Sequence, residues 1–95
     1  MRVLVLPAEL THAQAAACCG MLAQALRSDP AREAVADASA LRHFDSSALA
    51  VLLECRREAL ALGKHFSVTR MHPRLRALAA LYGVGELLPD APAPA

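Results

Sequence analysis

The chain has 95 residues, a formal net charge of +1 at pH 7 and a hydrophobic fraction of 56%, values that suit one small domain. The near-neutral charge provides no basic surface for nucleic acid. No segment approaches the ~20 apolar residues that span a bilayer, and the apolar run that Pro7 ends is too short for a signal peptide. Cys18, Cys19 and Cys55 are an odd number of cysteines, which predicts reduced, partly buried thiols in a cytosolic protein.

The first part of the chain predicts a strand, a helix and a second strand. Residues 2–6 are rich in Val and Leu and stop at Pro7, as a short strand does. Thr11 can cap a helix that runs to about Ser28. The alanines of residues 33–39 favour helix by intrinsic propensity. A strand there would nevertheless give the alternation of strand and helix that is predicted on either side, and we therefore predict a strand.

The second part predicts a helix, a strand and a last helix. The central helix runs from Ser46 to about Leu62, and Gly63 closes it as the residue after the C-cap. Residues 65–69 alternate as a strand does, and the next helix begins near Pro73 and stops at Gly83. This order predicts parallel strands in a narrow sheet and a layered α/β fold. Residues 1–89 form the predicted single domain, and residues 90–95 form a Pro/Ala tail that is expected to be disordered.

The start of the central helix is the most informative feature of the sequence. Asp and Ser are preferred N-cap residues, so Ser46 or Ser47 is expected at the positive end of this helix, where a phosphate could also bind. The segment that follows, 48–53, has no polar side chain, which indicates a helix that is buried on both sides or has a partner. We expect the outward face to be formed by Ala48, Val51 and Cys55, with Arg56 at its rim. We expect the core side to be formed by Leu49, Leu52 and Leu53.

The sequence offers little support for catalysis. The four glycines do not follow the spacing of a phosphate-binding loop, and the histidines do not have the spacing of a zinc pair. Ser46, His43 and Asp45 could be drawn as a hydrolase triad, but residues so close in sequence rarely align as nucleophile, base and orienting group. We therefore predict no catalytic residue, no metal and no cofactor. The simpler interpretations are an N-cap at Ser46–Ser47 and a solvated charged face at 56–58.

The run Asp45-Ser46-Ser47-Ala48-Leu49, followed by an apolar helix, Gly63, a strand and a last helix, resembles the STAS domain family. That family includes the bacterial anti-sigma factor antagonists, whose motif resembles Asp-Ser-Ser-Gly-Leu with phosphorylation at the first Ser. Ser46 matches that position, and Ala48 replaces the Gly. Two further patterns resemble the MlaB-type STAS subunits of the Mla phospholipid-transport ABC complexes, in which the motif hydroxyl is a Thr. They are Asp45-Ser46-x-x-Leu49-Ala50-x-Leu52-Leu53 and Leu78-Ala79-x-Leu81-Tyr82, the latter followed by Leu88-Pro89.

The resemblance implies a STAS fold and a domain without catalytic activity of its own. The first strand of the family is expected to be missing, since only Met1 precedes Arg2, and one sheet edge would then be short or open to pairing. The implied partner-binding residues are Asp45, Ser46, Ser47, Ala48, Val51, Cys55 and Arg56.

The function that the resemblance implies is that of an accessory subunit. It would bind the ATPase of a phospholipid-transport ABC complex and would be cytoplasmic, peripheral to the inner membrane through that partner. The alternative is an anti-sigma factor antagonist that binds an anti-sigma kinase and is switched by phosphorylation of Ser46. Self-association is left open.

Overall fold

The computed structural model describes residues 2–91, and its elements follow the predicted order of strands and helices. In chain order they are β1 (Arg2–Val5), β2 (Glu9–Leu10), α1 (His12–Ser28), β3 (Glu33–Asp37), β4 (His43–Phe44), α2 (Ser46–Ala61), β5 (His65–Thr69) and α3 (Pro73–Leu81), followed by a single 3₁₀ turn at Gly85–Leu87. The three predicted helices and the three longer strands are therefore confirmed, with ends that agree to within one or two residues.

The main sheet is parallel and has the strand order β1-β3-β5. In its register Leu4 lies beside Ala36, and Ala36 lies beside Val68. A second, two-stranded parallel pair, β2 with β4, was not predicted. This pair begins where the backbone carbonyl of Ala8 accepts hydrogen bonds from the N–H groups of Arg42 and His43. It brings the residues before α1 next to the residues before α2, and so determines how the two helix starts meet.

One face of the main sheet carries the core. Every second side chain along the three strands points towards the helices and is buried against residues of all three helices. They are Leu4, Ala34, Ala36, Phe66 and Val68. On the opposite face, Val3 and Val5 keep 45% and 67% of their accessible surface, whereas Val35 of the central strand keeps only 5%. Val35 of the central strand is thus covered on this face, whereas Val3 and Val5 of β1 are not.

The helix ends have the predicted chemistry. Thr11 is the N-cap of α1, and its backbone N–H donates to Oε1 of Gln14 at 2.9 Å, a contact of the capping-box type. Gly63 follows the C-cap of α2 with φ of 73°, and Gly83 follows that of α3 with φ of 74°. Both glycines adopt the left-handed conformation that side chains disfavour. Among residues 2–91, no helix is long and apolar enough to cross a membrane.

The segment 89–91 pairs with the main sheet. The backbone N–H of Val68 donates to the carbonyl of Pro89 at 2.9 Å, and the Val68 carbonyl accepts from the N–H of Ala91 at 2.8 Å. Asp90 therefore pairs with β5 as a parallel bridge, and its side chain accepts from Arg76 at 2.7 Å. Residues 90 and 91, which the sequence assigned to the tail, thus bond to the backbone of the β5 edge. Residues 92–95 lie outside the described residues.

Candidate partner-binding site

Asp45 joins the N-termini of α1 and α2. One of its carboxylate oxygens accepts from the backbone N–H of Ser47 at 2.8 Å, and the other accepts from the backbone N–H of His12 at 3.2 Å. The N-cap of α2 is thus Asp45. The hydrogen bond from the Ser47 backbone is the main cause that lowers the pKa of the Asp45 carboxyl, and the His12 backbone adds to it. The carboxylate is ionised at neutral pH and connects two helix ends.

Ser46 is the first residue of α2 and is exposed. Its placement in the first turn was predicted and is confirmed. The expectation that a serine hydroxyl caps the helix is wrong, because the side chain of Asp45 takes that position. The N–H groups of the first turn lie close to Ser46, and the helix dipole favours negative charge there. An exposed hydroxyl at this position is open to a partner or to modification.

A third helix begins at the same place. His72 is the N-cap of α3, and its Nδ1 accepts from the backbone N–H of Arg74 at 3.0 Å. The ring of Phe44, directly before Asp45, meets the His72 ring edge-on at 5.3 Å between centroids. The Arg74 guanidinium lies over the Phe44 ring at 5.2 Å, within cation–π distance. Phe44 and Asp45 therefore lie among three helix N-termini, whose dipoles favour negative charge such as the Asp45 carboxylate. The sequence analysis did not identify Phe44, His72 or Arg74 as site residues.

The loop before α3 also lies at this end of the sheet. Arg70 has φ of 56°, a left-handed conformation that is uncommon for a residue with a side chain. Its charge lowers the pKa of Asp37, although the main cause of that shift is the hydrogen bond from the Ser39 backbone. A cationic side chain is thus positioned at the carboxyl ends of the strands by a constrained backbone.

The prediction of which residues form the outward face of α2 is wrong. Ala48, Val51 and Cys55 keep only 0%, 3% and 2% of their accessible surface and belong to the core. Leu49 and Leu52, predicted for the core, are also buried, whereas Leu53 is half-buried. The physical reason is the position of α2, which packs on α1, on β5 and on α3. A helix with neighbours on three sides buries a broad arc, and all of these residues except Leu53 fall within that arc.

The exposed side of α2 is formed by other residues. Ser46, Ala50 and Arg57 are exposed, and half-buried Leu53 lies between them at helical spacing. We call Ser46, Ala50, Leu53 and Arg57 the outer strip. Arg57 pairs with Glu54 on the same helix, and Glu58 pairs with Arg27 of α1 at 2.9 Å. Arg56, predicted at the rim, is half-buried beside this strip.

The remaining candidate residues for catalysis or metal binding are Asp45 and the three cysteines. Both Asp45 oxygens accept backbone N–H groups, so this carboxylate holds two helix ends and does not orient an imidazole as a hydrolase triad requires. Burial, the largest cause, raises the pKa of Cys55 to about 12, which suppresses the thiolate. Cys18, Cys19 and Cys55 are free thiols, as predicted. Within residues 2–91, no three His, Cys, Asp or Glu side chains are grouped so as to hold a metal ion.

Comparison with solved structures identifies the class of domain. The chain is similar to the unphosphorylated anti-sigma factor antagonist SpoIIAA, with a TM-score of 0.74 and 22% identity over 96% of this chain and 79% of that one. It is also similar to a putative anti-sigma factor antagonist from Thermotoga maritima, with a TM-score of 0.77 and 15% identity over 93% of this chain and 77% of that one. The fold is therefore that of a STAS domain.

The family follows from the sequence itself. A family model described as "Mlab, STAS domain" matches residues 2–89. The chain belongs to the STAS domain family, as the motif at Asp45–Leu49 predicted. A comparison with curated protein sequences gave no significant match.

Proposed function

We propose that this chain is a non-enzymatic accessory subunit that binds and supports the ATPase of a bacterial phospholipid-transport ABC complex of the Mla type. In this role it is cytoplasmic and reaches the inner membrane only through that partner. The family description over residues 2–89 supports the transporter assignment.

The observation that carries the proposal is the exposed outer strip, which begins at Ser46 and continues along α2. The backbone around Ser46 is fixed because Asp45 connects the starts of α1 and α2. A surface that is already rigid loses little conformational entropy when a partner binds. The site is therefore suited to binding a folded partner and needs no reaction chemistry.

The outer strip also has the composition of an interface. Ala50 is small and lets a partner approach the helix closely, and Leu53 supplies apolar area. Arg57 and Arg74 are exposed and can form a polar rim, as interfaces commonly have around an apolar centre. We place the contact on the outer strip, because Val51 and Cys55 are inaccessible in the folded domain.

The test is co-expression with the neighbouring ABC ATPase, followed by size-exclusion chromatography. The wild-type chain should co-elute with the ATPase, and Ala50→Glu should weaken the complex roughly tenfold or more, because the new charge must be desolvated in the contact. Ala16→Glu is the matched control, since Ala16 is an exposed alanine on α1 and receives the same substitution. If Ala50→Glu still co-elutes like the control, the outer strip is not the interface. If the wild type never co-elutes, the transporter assignment fails.

A second candidate function rests on Ser46. The solved structures that resemble this chain are anti-sigma factor antagonists, and Ser46 is exposed at the positive end of α2. In this alternative the chain binds an anti-sigma kinase, and a phosphate at Ser46 adds nearly two negative charges at the contact and releases the partner. Affinity purification from the native host distinguishes the two functions: a kinase as partner, with a phosphate on Ser46 in the intact mass, supports the alternative and opposes the transporter assignment.

A further inference from the structure

Three exposed arginines lie at the end of the main sheet where its strands finish. Arg70 directly follows β5, Arg42 lies between β3 and β4, and Arg74 lies in the first turn of α3. The backbone N–H of Ala38 donates to the carbonyl of Thr69 at 2.9 Å, so the loops after β3 and β5 begin side by side. We call Arg42, Arg70 and Arg74 the arginine group.

Two members of the arginine group are held near the loop that follows β3. Nη1 of Arg42 donates to the carbonyl of Ser39 at 3.0 Å. The backbone N–H of Ser39 donates to the Asp37 carboxylate at 2.9 Å, and that carboxylate also interacts electrostatically with Arg70. The left-handed backbone of Arg70, with φ of 56°, constrains the direction in which its side chain leaves the chain. Both guanidinium groups are therefore placed around one loop.

The third member is held by an aromatic ring. The guanidinium of Arg74 lies over the Phe44 ring at 5.2 Å from its centroid, which is within cation–π distance. The N–H donors of a guanidinium lie in its own plane, so a group that rests on a ring through its face keeps those donors available. Phe44 is followed by Asp45 and by Ser46, where the outer strip begins. Arg74 thus borders the outer strip.

The chain provides no carboxylate partner for these three arginines. Elsewhere in residues 2–91, cationic side chains form ion pairs: Arg27 with Glu58, Arg57 with Glu54, Arg76 with Asp90 and His65 with Glu33. Within the same residues, no ion pair includes a member of the arginine group. The neighbouring carboxylates of Asp37 and Asp45 already accept backbone N–H groups. The arginine group therefore keeps a capacity for charge-assisted hydrogen bonds that the described part of the chain does not use.

We propose that the arginine group binds an acidic segment of the protein partner, so that the contact extends from the outer strip onto this end of the sheet. The inference rests on the proposed function, because the partner is the ATPase proposed above. Asp or Glu side chains of that partner would face the guanidinium groups, whose planar fork matches a carboxylate through two parallel hydrogen bonds. The apolar part of the outer strip would supply contact area, and the arginines would determine orientation and the rate of association.

The charge pattern favours a protein over a membrane or a nucleic acid. The formal net charge of the chain is only +1, and Asp37 and Asp45 lie among the three arginines. At an anionic membrane, each basic residue contributes about 1 kcal/mol, so three of them are too few to hold the domain there by charge alone. A protein surface can place its carboxylates opposite the arginines and away from the two aspartates, which a fluid lipid surface cannot do.

The experiment is biolayer interferometry of the full chain on the immobilised ATPase, at about 50 mM and about 500 mM salt. The Kd of the wild type should rise roughly tenfold or more with salt, because screening weakens the attraction. At low salt, Arg74→Glu should weaken binding by about tenfold or more, and its difference from the wild type should shrink at high salt. This variant should fold, since the first turn of a helix favours a carboxylate.

Arg32→Glu is the matched control. Arg32 is exposed and directly precedes β3, at the opposite end of the sheet, and its substitution changes the net charge by the same amount. It should bind like the wild type. Arg70→Asn is a second variant that keeps the backbone acceptable, because Asn tolerates the left-handed conformation. It should weaken binding by about threefold or more at low salt.

The outcomes separate this inference from the proposed function. A complex whose Kd ignores salt, and which Arg74→Glu and Arg70→Asn leave unchanged, overturns the acidic contact but retains the ATPase as partner. A wild type that never binds the ATPase overturns both. Sedimentation with phosphatidylglycerol vesicles tests the other occupant: if the wild type pellets with them and Arg74→Glu does not, while both bind the ATPase equally, the arginines face lipid and the proposal is wrong.

Discussion

Val51 and Ala50 are consecutive residues of α2 with opposite environments, and their substitution by glutamate tests the orientation of the helix. Val51 keeps 3% of its accessible surface within the core, whereas Ala50 is exposed on the outer strip. From the sequence, Val51 was expected on the surface, where a charge would disturb only partner binding. The structure predicts instead that Val51→Glu disrupts folding and that Ala50→Glu does not.

The magnitude follows from burial. Removing the Val51 side chain forfeits about 1.5–3 kcal/mol of hydrophobic burial, and an uncompensated buried charge costs about 3–5 kcal/mol more. The total is comparable with the roughly 5–15 kcal/mol by which a small domain is stable. Val51→Glu should therefore leave little folded protein. Ala50→Glu changes only an exposed position and should alter the free energy of unfolding by less than about 0.5 kcal/mol.

The assay is thermal and urea unfolding followed by circular dichroism, with soluble yield measured in parallel. Ala50→Glu should melt within about 4 °C of the wild type, since 1 kcal/mol corresponds to roughly 4–8 °C in a domain of this size. Val51→Glu should show no cooperative transition or a Tm that is far lower. If both variants unfold like the wild type, Val51 is not in the core and the described orientation of α2 is wrong.

Four further predictions concern the site and its chemistry. Ser46→Ala should leave the free energy of unfolding within about 0.5 kcal/mol of the wild type. Asp45→Ala should lower the Tm, because α2 loses its N-cap and the backbone N–H of His12 loses an acceptor; equal melts would remove Asp45 as the cap. The pKa of Asp45 is lower in the folded state than in the unfolded state, so its stabilisation is present above about pH 4 and is lost as the pH falls; acid titration should therefore destabilise the wild type more steeply than Asp45→Asn. Iodoacetamide should modify Cys55 only on unfolding, after the partly exposed Cys19, and modification of Cys55 in the native protein would contradict its burial. Ser46→Asp should weaken partner binding more than it lowers the Tm, because a helix N-terminus tolerates a carboxylate but an apolar contact does not; unchanged binding would remove Ser46 from the interface.

The order of elements could be predicted because local signals mark the boundaries. Thr11, Gly63, Pro73 and Gly83 each occupy the helix-end position that their backbone and side-chain chemistry favours. The strand at Glu33–Asp37 was predicted against its alanine content. Its neighbours in the parallel sheet override helix propensity there.

The parts that could not be predicted depend on tertiary neighbours. Periodicity along α2 divides its apolar residues into two faces, and only the packing on α1, β5 and α3 shows that residues of both faces are buried, with Leu53 the exception. Lys64 is similarly unmarked in the sequence, yet it is buried and its Nζ donates to the carbonyls of Asp29 and Ala31. His72 and Arg74 reach Phe44 across a distance of about thirty residues in the chain, for which a single sequence provides no signal.

Site-specific photocrosslinking from position 50 tests the central claim most directly, because it reports which molecule lies against the outer strip. A photoreactive amino acid is introduced at Ala50, and separately at Ala16 as a control, in cells that express the chain with its neighbouring ABC ATPase. The proposal predicts a crosslink to the ATPase from position 50 and none from position 16. A crosslink from position 16 alone, from neither position, or from position 50 to a kinase would contradict it.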